Sequence, residues 1–173
     1  MLTIPKNLLT KTTQTSILSW EKKGFEVHLV YGIERCSETS KIVMDSWKRF
    51  FTTEFVNNHP NGIILAEDDS YLLKNWSELI YAFKKKNINW FGFQSTFKEN
   101  NKLIPVGVQA FYIPNEQLDS YIQQILTAKS IHFDRFNSRV KLVYYPFKAK
   151  EAVLELERIS LTTGRLRKGY KVD

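Results

Sequence analysis

Gly62-Ile63-Ile64-Leu65-Ala66-Glu67-Asp68-Asp69-Ser70 is the stretch on which the fold of this chain turns. Ile63–Ala66 is short and wholly apolar, and it follows a turn-forming segment, Asn58–Gly62 (NHPNG). Such a run fits a strand buried on both faces. Three carboxylates follow at once, and adjacent carboxylates repel one another unless a cation or basic groups neutralise them. Their place is the carboxyl end of a buried strand, where an open α/β sheet presents its ligand crevice. In an extended segment alternate residues point the same way, so Glu67 and Asp69 are expected on one face with Asp68 turned away. Oxygen ligands of this kind suit Mg²⁺ or Mn²⁺, hard cations that keep waters and take up a diphosphate. The competing reading is an exposed acidic turn in which Asp69 or Ser70 caps the next segment. Position behind an apolar strand favours the site.

Working outward, Leu2–Ile4 reads as a short strand stopped by Pro5, and about Thr13 to Lys23 as a helix ended by Gly24. In that helix Ile17, Leu18 and Trp20 fall near one face. Phe25–Tyr31 (FEVHLVY) alternates and is β-branched, hence a strand. Ser37–Asn58 has helical spacing, and a further helix begins near Asn75 and closes on Lys84–Lys86, cations that suit a helix end. Trp90–Phe93 and Leu103–Ile113 read as strands, the second kinked by Pro105 and Gly107. A helix runs from Pro114 or Asn115 to about Ala128, and Leu142–Tyr145 is a last strand before Pro146. The order β-α-β-α-β-α-β-β-α-β predicts an α/β protein, a three-layer α/β/α sandwich with a mostly parallel sheet.

The chain has 173 residues, 43% hydrophobic and 14% aromatic, so it can bury a core. No repeat, low-complexity tract or linker divides it, and residues 1–173 read as one domain with a basic tail at about 158–173. No apolar run approaches the roughly 20 residues of a membrane span, and the first residues lack the pattern of a secretory signal. One cysteine, Cys36, excludes an internal disulfide framework and a multi-thiolate zinc site, which points to a reducing, cytoplasmic setting. The net charge of +7 invites a polyanionic partner. P-loop, dinucleotide and nucleophile-elbow signatures are absent, and His28, His59 and His132 are too scattered for a histidine-rich metal site.

GIILAEDDSYL resembles the strand-and-acidic motif of glycosyltransferase family 25, the lipopolysaccharide-type and collagen-type galactosyltransferase group. The order of later segments is similar to that family too. Trp90-Phe91-Gly92-Phe93 matches the strand after the next helix, and Gly107–Pro114 (GVQAFYIP) the small-residue-then-aromatic strand leading into a helix. His132-Phe133-Asp134 resembles the later acidic element, and Leu142–Pro146 the strand beyond it. The similarity runs from about residue 25 to 160, more in motif order than in identities. The chain departs from the family at its start: in place of a longer opening strand and an arginine-rich segment it has only MLTIPKNLLTK. The resemblance implies a GT-A fold, a nucleotide-sugar donor and a metal-dependent transfer with inversion.

On that reading Asp69 is the first metal ligand, and Glu67 or Asp68 contacts the sugar, the ribose or metal-bound water. Glu67 and His132 are further metal candidates, although His132 equally orients Asp134 or hydrogen-bonds locally. Asp134, in a polar stretch after a helix, is the candidate base for the acceptor hydroxyl; its alternative is a salt bridge with Arg135 or Arg139. Gln109, beside small residues, reaches the sugar or is an ordinary strand residue. Lys6 and Lys11 stand where the fold receives the nucleotide, or are surface lysines. Arg158, Arg165, Arg167, Lys168 and Lys171 crowd into the last sixteen residues. One of them approaches the diphosphate, or the run meets another polyanion with Tyr170 stacking on a base, or it is a solubilising tail. The tryptophans at 20, 47, 76 and 90 read as core.

The cofactor expected is Mn²⁺ or Mg²⁺, the donor a UDP-sugar, and the acceptor a glycan, a lipid-linked molecule or DNA. Two other classes compete with the transferase. One is a viral or phage-type enzyme that glycosylates hydroxylated DNA bases inside the host cell. The other is a non-catalytic module binding nucleic acid or a partner on the same fold. A metal-dependent nuclease ranks last, for want of a second acidic pair with a lysine at strand spacing.

Overall fold

Strand β8 (Ala110–Ile113) is buried at all four positions, and the core is organised around it. The structure is a computed structural model that describes residues 1–3, 10–32, 39–86, 90–91, 95–99, 102–106, 109–129, 133, 136–137, 146–147, 153–159, 166–169 and 171. The remaining elements, in chain order, are β1 (Leu2–Thr3), α1 (Lys11–Glu21), β2 (Val30–Tyr31), α2 (Thr39–Thr53), β3 (Ile63–Ala66), β4 (Ser70–Leu72) and α3 (Trp76–Lys86). They continue with β5 (Trp90–Phe91), β6 (Ser95–Glu99), β7 (Lys102–Val106), α4 (Asn115–Thr127), β9 (Pro146–Phe147), β10 (Val153–Glu155), β11 (Arg158–Ile159) and β12 (Leu166–Arg167). A four-stranded sheet has the order β3-β8-β5-β9. β8 runs antiparallel to both β3 and β5, while β5 and β9 are parallel. Three strands therefore point one way, and the carboxyl ends of β3 and β5 lie beside the start of β8. β1 and β2 form a separate parallel pair, and β4–β10, β6–β7 and β11–β12 are antiparallel pairs.

Alternation along β3 and β8 separates two cores. Leu65, Phe111 and Ile113 join Met44, Trp47 and Phe51 of α2 and Leu118, Tyr121 and Ile125 of α4. Ala66, Ala110 and Tyr112 face the other way, onto Trp20 of α1, Leu72 of β4, Leu79 of α3 and Val153 of β10. Period-two side chains on a ladder covered from both sides account for this division. Burial of such side chains stabilises by roughly 1.5–3 kcal/mol each, and Phe50 and Phe51 of α2 with Phe55 just beyond it add edge contacts at 5.2–5.6 Å. Of the tryptophans read as core, Trp20 and Trp47 are buried; nothing is described of the other two side chains.

The helix ends follow their chemistry. Thr10 caps α1, its hydroxyl accepting from Thr13 N at 3.2 Å. Asn75 and Glu78 form a reciprocal capping box: Glu78 N donates to Asn75 Oδ1 and Asn75 N to Glu78 Oε2, both at 3.0 Å. The Asn75 N–H, then Lys74, hold the Glu78 carboxyl below its ordinary value. No helix among the described residues is long and apolar enough to cross a membrane.

Several elements differ from their sequence reading. Phe25–Tyr31 predicts one strand, yet strand pairing is confined to Leu2↔Val30 and Thr3↔Tyr31. The alternation survives without it: Phe25, Val27 and Leu29 are half-buried and Glu26 and His28 exposed. Leu103–Ile113 is divided between β7 and β8, and β6, which no pattern announced, pairs with β7 as a hairpin. Pro105 stands opposite Thr96 in a pair to which, among the described residues, no third strand bonds, so its missing N–H costs no ladder bond on an outer edge. α2 is shorter than its spacing predicts. Its last turn closes with Phe55 N bonding back to Phe50 O at 3.0 Å, which folds Phe55 onto the ring cluster. Leu142–Tyr145 lies outside the described residues, and the strand seen there begins at Pro146.

Burial also sets a pH dependence. Tyr121 is fully buried and its hydroxyl donates to Asn137 Oδ1 at 2.8 Å; burial pushes its phenol well above the ordinary value. Burial, assisted by the Glu116 charge, raises Tyr112 to about 12. Unfolded tyrosines ionise near pH 10, so above that pH the folded chain holds more protons than the unfolded one, and stability falls as pH rises. Urea midpoints at about pH 9 and about pH 11 check this, and Tyr121→Phe should make the fall shallower. Equal midpoints for the wild type at both values would show that these phenols are not held neutral by the fold.

Candidate functional site

The acidic triplet forms a tight turn at the carboxyl end of β3. Ser70 N donates to Glu67 O at 3.2 Å, and Ser70 Oγ donates to the same oxygen at 2.6 Å. The chain then re-enters a strand as β4, so Ser70 is a strand residue rather than a helix cap. A turn abolishes the two-residue alternation expected here. Asp68 and Asp69 are the buried members, 3% and 0% exposed, while Glu67 is half-buried. The expectation that Glu67 and Asp69 share a face opposite Asp68 gives way to this arrangement, because the i to i+3 bond curls the backbone before the pleat can repeat.

Three neighbours hold the turn. From the residue just before β8, the Gln109 carbonyl accepts Glu67 N at 3.0 Å, and the Gln109 side chain is buried. From the end of β10, Leu156 N donates to the Asp69 carbonyl at 2.7 Å. From α1 comes a row of hydroxyls. Thr13, Ser16 and Ser19 recur every third residue and are all buried, with Trp20 beside them. Ser16 Oγ donates to Ser70 O at 2.6 Å, and Trp20 Nε1 reaches Ser70 O at 3.2 Å and Ser70 Oγ at 3.0 Å. Ser19 Oγ accepts Leu72 N at 3.0 Å and donates to Ser16 O at 2.7 Å. Thr13 Oγ1 stands 3.5 Å from Asp68 Oδ2. Burial lowers the Met1 amine to about 5, while the Asp68 charge pulls it upward.

These hydroxyls are what an apolar-face reading of α1 misses. Leu18, placed near the buried face by its neighbours, is 50% exposed, and the helix turns its serine and threonine side inward. The signal was present as Thr10, Thr13, Ser16 and Ser19 at constant spacing. Residues three apart stack along one helix face, and polar ones there pack against a polar partner. The partner is the backbone of the acidic turn and β4.

Of the residues read as site candidates, Glu67, Asp68, Asp69 and Gln109 are brought together. Lys11 opens α1 and is exposed, two positions before Thr13. Lys6, His132 and Asp134 lie outside the described residues, as does Cys36. A cleft of about 710 Å³ follows β3 from Gly62 to Ala66, lined also by Phe25, His28, Phe55 and His59. His28 and His59 stand 6.2 Å apart between ring centroids, and His59 stacks on Phe55 at 5.5 Å. Among the described residues no three His, Cys, Asp or Glu side chains are grouped to hold a metal by themselves. No family model, no characterised protein and no solved structure matches this chain.

Proposed function

We propose that the chain is a metal-dependent glycosyltransferase of GT-A type that takes a UDP-sugar at the Glu67–Asp69 turn. The observation that carries this reading is the burial of two adjacent carboxylates, Asp68 and Asp69, at the carboxyl end of a central strand. Carboxylates at the carboxyl end of a strand stand where open α/β sheets take their ligands, and oxygen donors of this kind suit a hard divalent cation. Helices and strands covering both faces of the β3–β8 ladder support the sandwich fold on which the reading rests.

The residues fit a hard cation. Their donors are carboxylate oxygens, and one or two carboxylates completed by water and phosphate oxygens are what Mg²⁺ or Mn²⁺ takes. When bound, such an ion stabilises negative charge on a departing diphosphate. The chain's own part is positional. Glu67 is the member of the triplet that meets solvent, and Asp69 is fixed through its carbonyl by Leu156. The α1 hydroxyls and Trp20 hold Ser70, and so keep the turn from opening. In this proposal Asp134 takes the proton from the acceptor hydroxyl of a glycan or lipid-linked molecule, and Gln109 reaches the sugar. Calorimetric titration of the protein with a panel of UDP-sugars, with and without Mn²⁺, tests it. Metal-dependent binding of at least one donor is expected; no binding across the panel would sink the proposal.

A further inference from the structure

The cleft beside β3 is a slot that follows two strand-like stretches of backbone. Gly62 to Ala66 line one wall and Gly24 to His28 the other, every residue in turn. A cleft lying against a strand's face touches alternate residues, whereas one that runs along its edge touches each. On the β3 side the hydrogen bonding agrees. Glu67 N bonds to Gln109 O, and Ile63 and Leu65 stand opposite Ile113 and Phe111 in the same phase of the ladder. Backbone groups of an antiparallel strand alternate between its two edges, so the N–H and C=O of Ile64 and Ala66 point away from β8, toward the slot. β3 ends the described sheet, and no strand among the described residues pairs with that edge. The opposite wall holds the segment that alternates from Phe25 yet enters no ladder before Val30.

A free edge is a template for another strand, and proteins blunt one with charge, proline or a bulge. Ile63-Ile64-Leu65-Ala66 carries no charge, proline or glycine. The volume of about 710 Å³ lies in the range of sites that bury a ligand. Trp20, Trp47 and Leu65 belong to the buried lining, and Val56, 74% exposed, marks the mouth. Charge supplies the last constraint. In a chain of net charge +7, two carboxylates, Glu26 and Glu54, line the slot, and no lysine or arginine among the described residues does. Glu26 stands 3.1 Å from His28 Nε2, and Arg49 stands 3.9 Å from Glu54. A free backbone edge, aromatic walls and a carboxylate rim together suit an extended chain with apolar side chains and a cation. A small apolar molecule would leave the edge groups of β3 unpaired.

We propose that the slot is a docking site for an extended peptide of a partner protein. The peptide pairs with Ile64 and Ala66, turns apolar side chains onto the aromatic walls and sets a lysine or arginine against Glu26. Strand addition of this kind draws affinity from main-chain bonds and specificity from alternate side chains. It does not depend on the transferase reading, and the two stand or fall separately. The test uses the full chain and a pair of hexapeptides blocked at both ends, one alternating valine with lysine and the other valine with glutamate. The lysine peptide should bind at least about ten-fold more tightly than the glutamate peptide. It should also slow amide hydrogen exchange at Ile64 and Ala66. Glu26→Lys changes an exposed side chain, so it should reverse the preference and melt at the wild-type temperature. No binding of either peptide up to about 1 mM overturns the proposal. Equal affinities, or binding that leaves exchange at Ile64 and Ala66 unchanged, overturn it as well. If the chain self-associates on sedimentation and both amides are slowed without peptide, the slot takes a second copy and the proposal is overturned.

Discussion

Asp69→Asn should lower Mn²⁺-dependent donor binding and turnover by at least about 100-fold and leave the melting temperature nearly unchanged. Loss of partners that merely orient a metal ligand costs 10- to 100-fold, and loss of the ligand itself costs more. Asparagine has the shape of aspartate, so packing around a side chain with 0% exposure is preserved. The Leu156 N–H to Asp69 carbonyl bond involves backbone on both sides and persists. For a metal ligand binding falls while the melting temperature holds; for a residue that merely holds the fold both fall. Turnover that survives with the same metal dependence would show that Asp69 is not the ligand.

The second large effect is on stability. Gly62, which leads into β3, has φ of +77°, and a Cβ there would run into the Ile113 carbonyl oxygen and come 2.8 Å from Pro114 Cα and 2.9 Å from Asn115 N. Those atoms join the end of β8 to the start of α4, so nothing flexible can yield. The left-handed conformation alone costs an L-residue roughly 1–2 kcal/mol. With the collision added, Gly62→Ala should lose about 3 kcal/mol or more, a fall in melting temperature of about 6–12 °C for a chain of this size. Gly24→Ala is the control. Gly24 has φ of +85° and nothing within 4 Å of its virtual Cβ, so it carries the backbone strain without the collision. Thermal melts of the two variants separate the contributions. Equal losses would mean that β3 does not enter the sheet as closely to β8 and α4 as described.

Much of this was legible along the chain. Ile63–Ala66 forms a strand, Glu67–Asp69 stands at its carboxyl end, and α3 and α4 begin where Asn75 and Pro114 place them. Those features are local: a run of apolar side chains, a capping residue and a turn act within a few residues of themselves. The strand buried on both faces proved to be β8 in full, with β3 fully buried only at Leu65 and Ala66, because β8 has a neighbour on either side and β3 ends the described sheet.

What composition and periodicity determined by themselves is the alternation of helices and strands, and a carboxylate triplet placed where strands end. Tertiary structure alone decided which of those carboxylates is buried, since the bond from Ser70 N to Glu67 O curls the triplet out of the pleat that spacing assumes. It also decided that α1 offers hydroxyls instead of leucine, and that Gly169 brings the basic tail to the peptide holding Asp69. Each of these joins segments a dozen or more positions apart, or swaps a periodic rule for one hydrogen bond. Side-chain pattern reports how a segment meets a generic core; which backbone atoms it meets is fixed by the packing of the other segments.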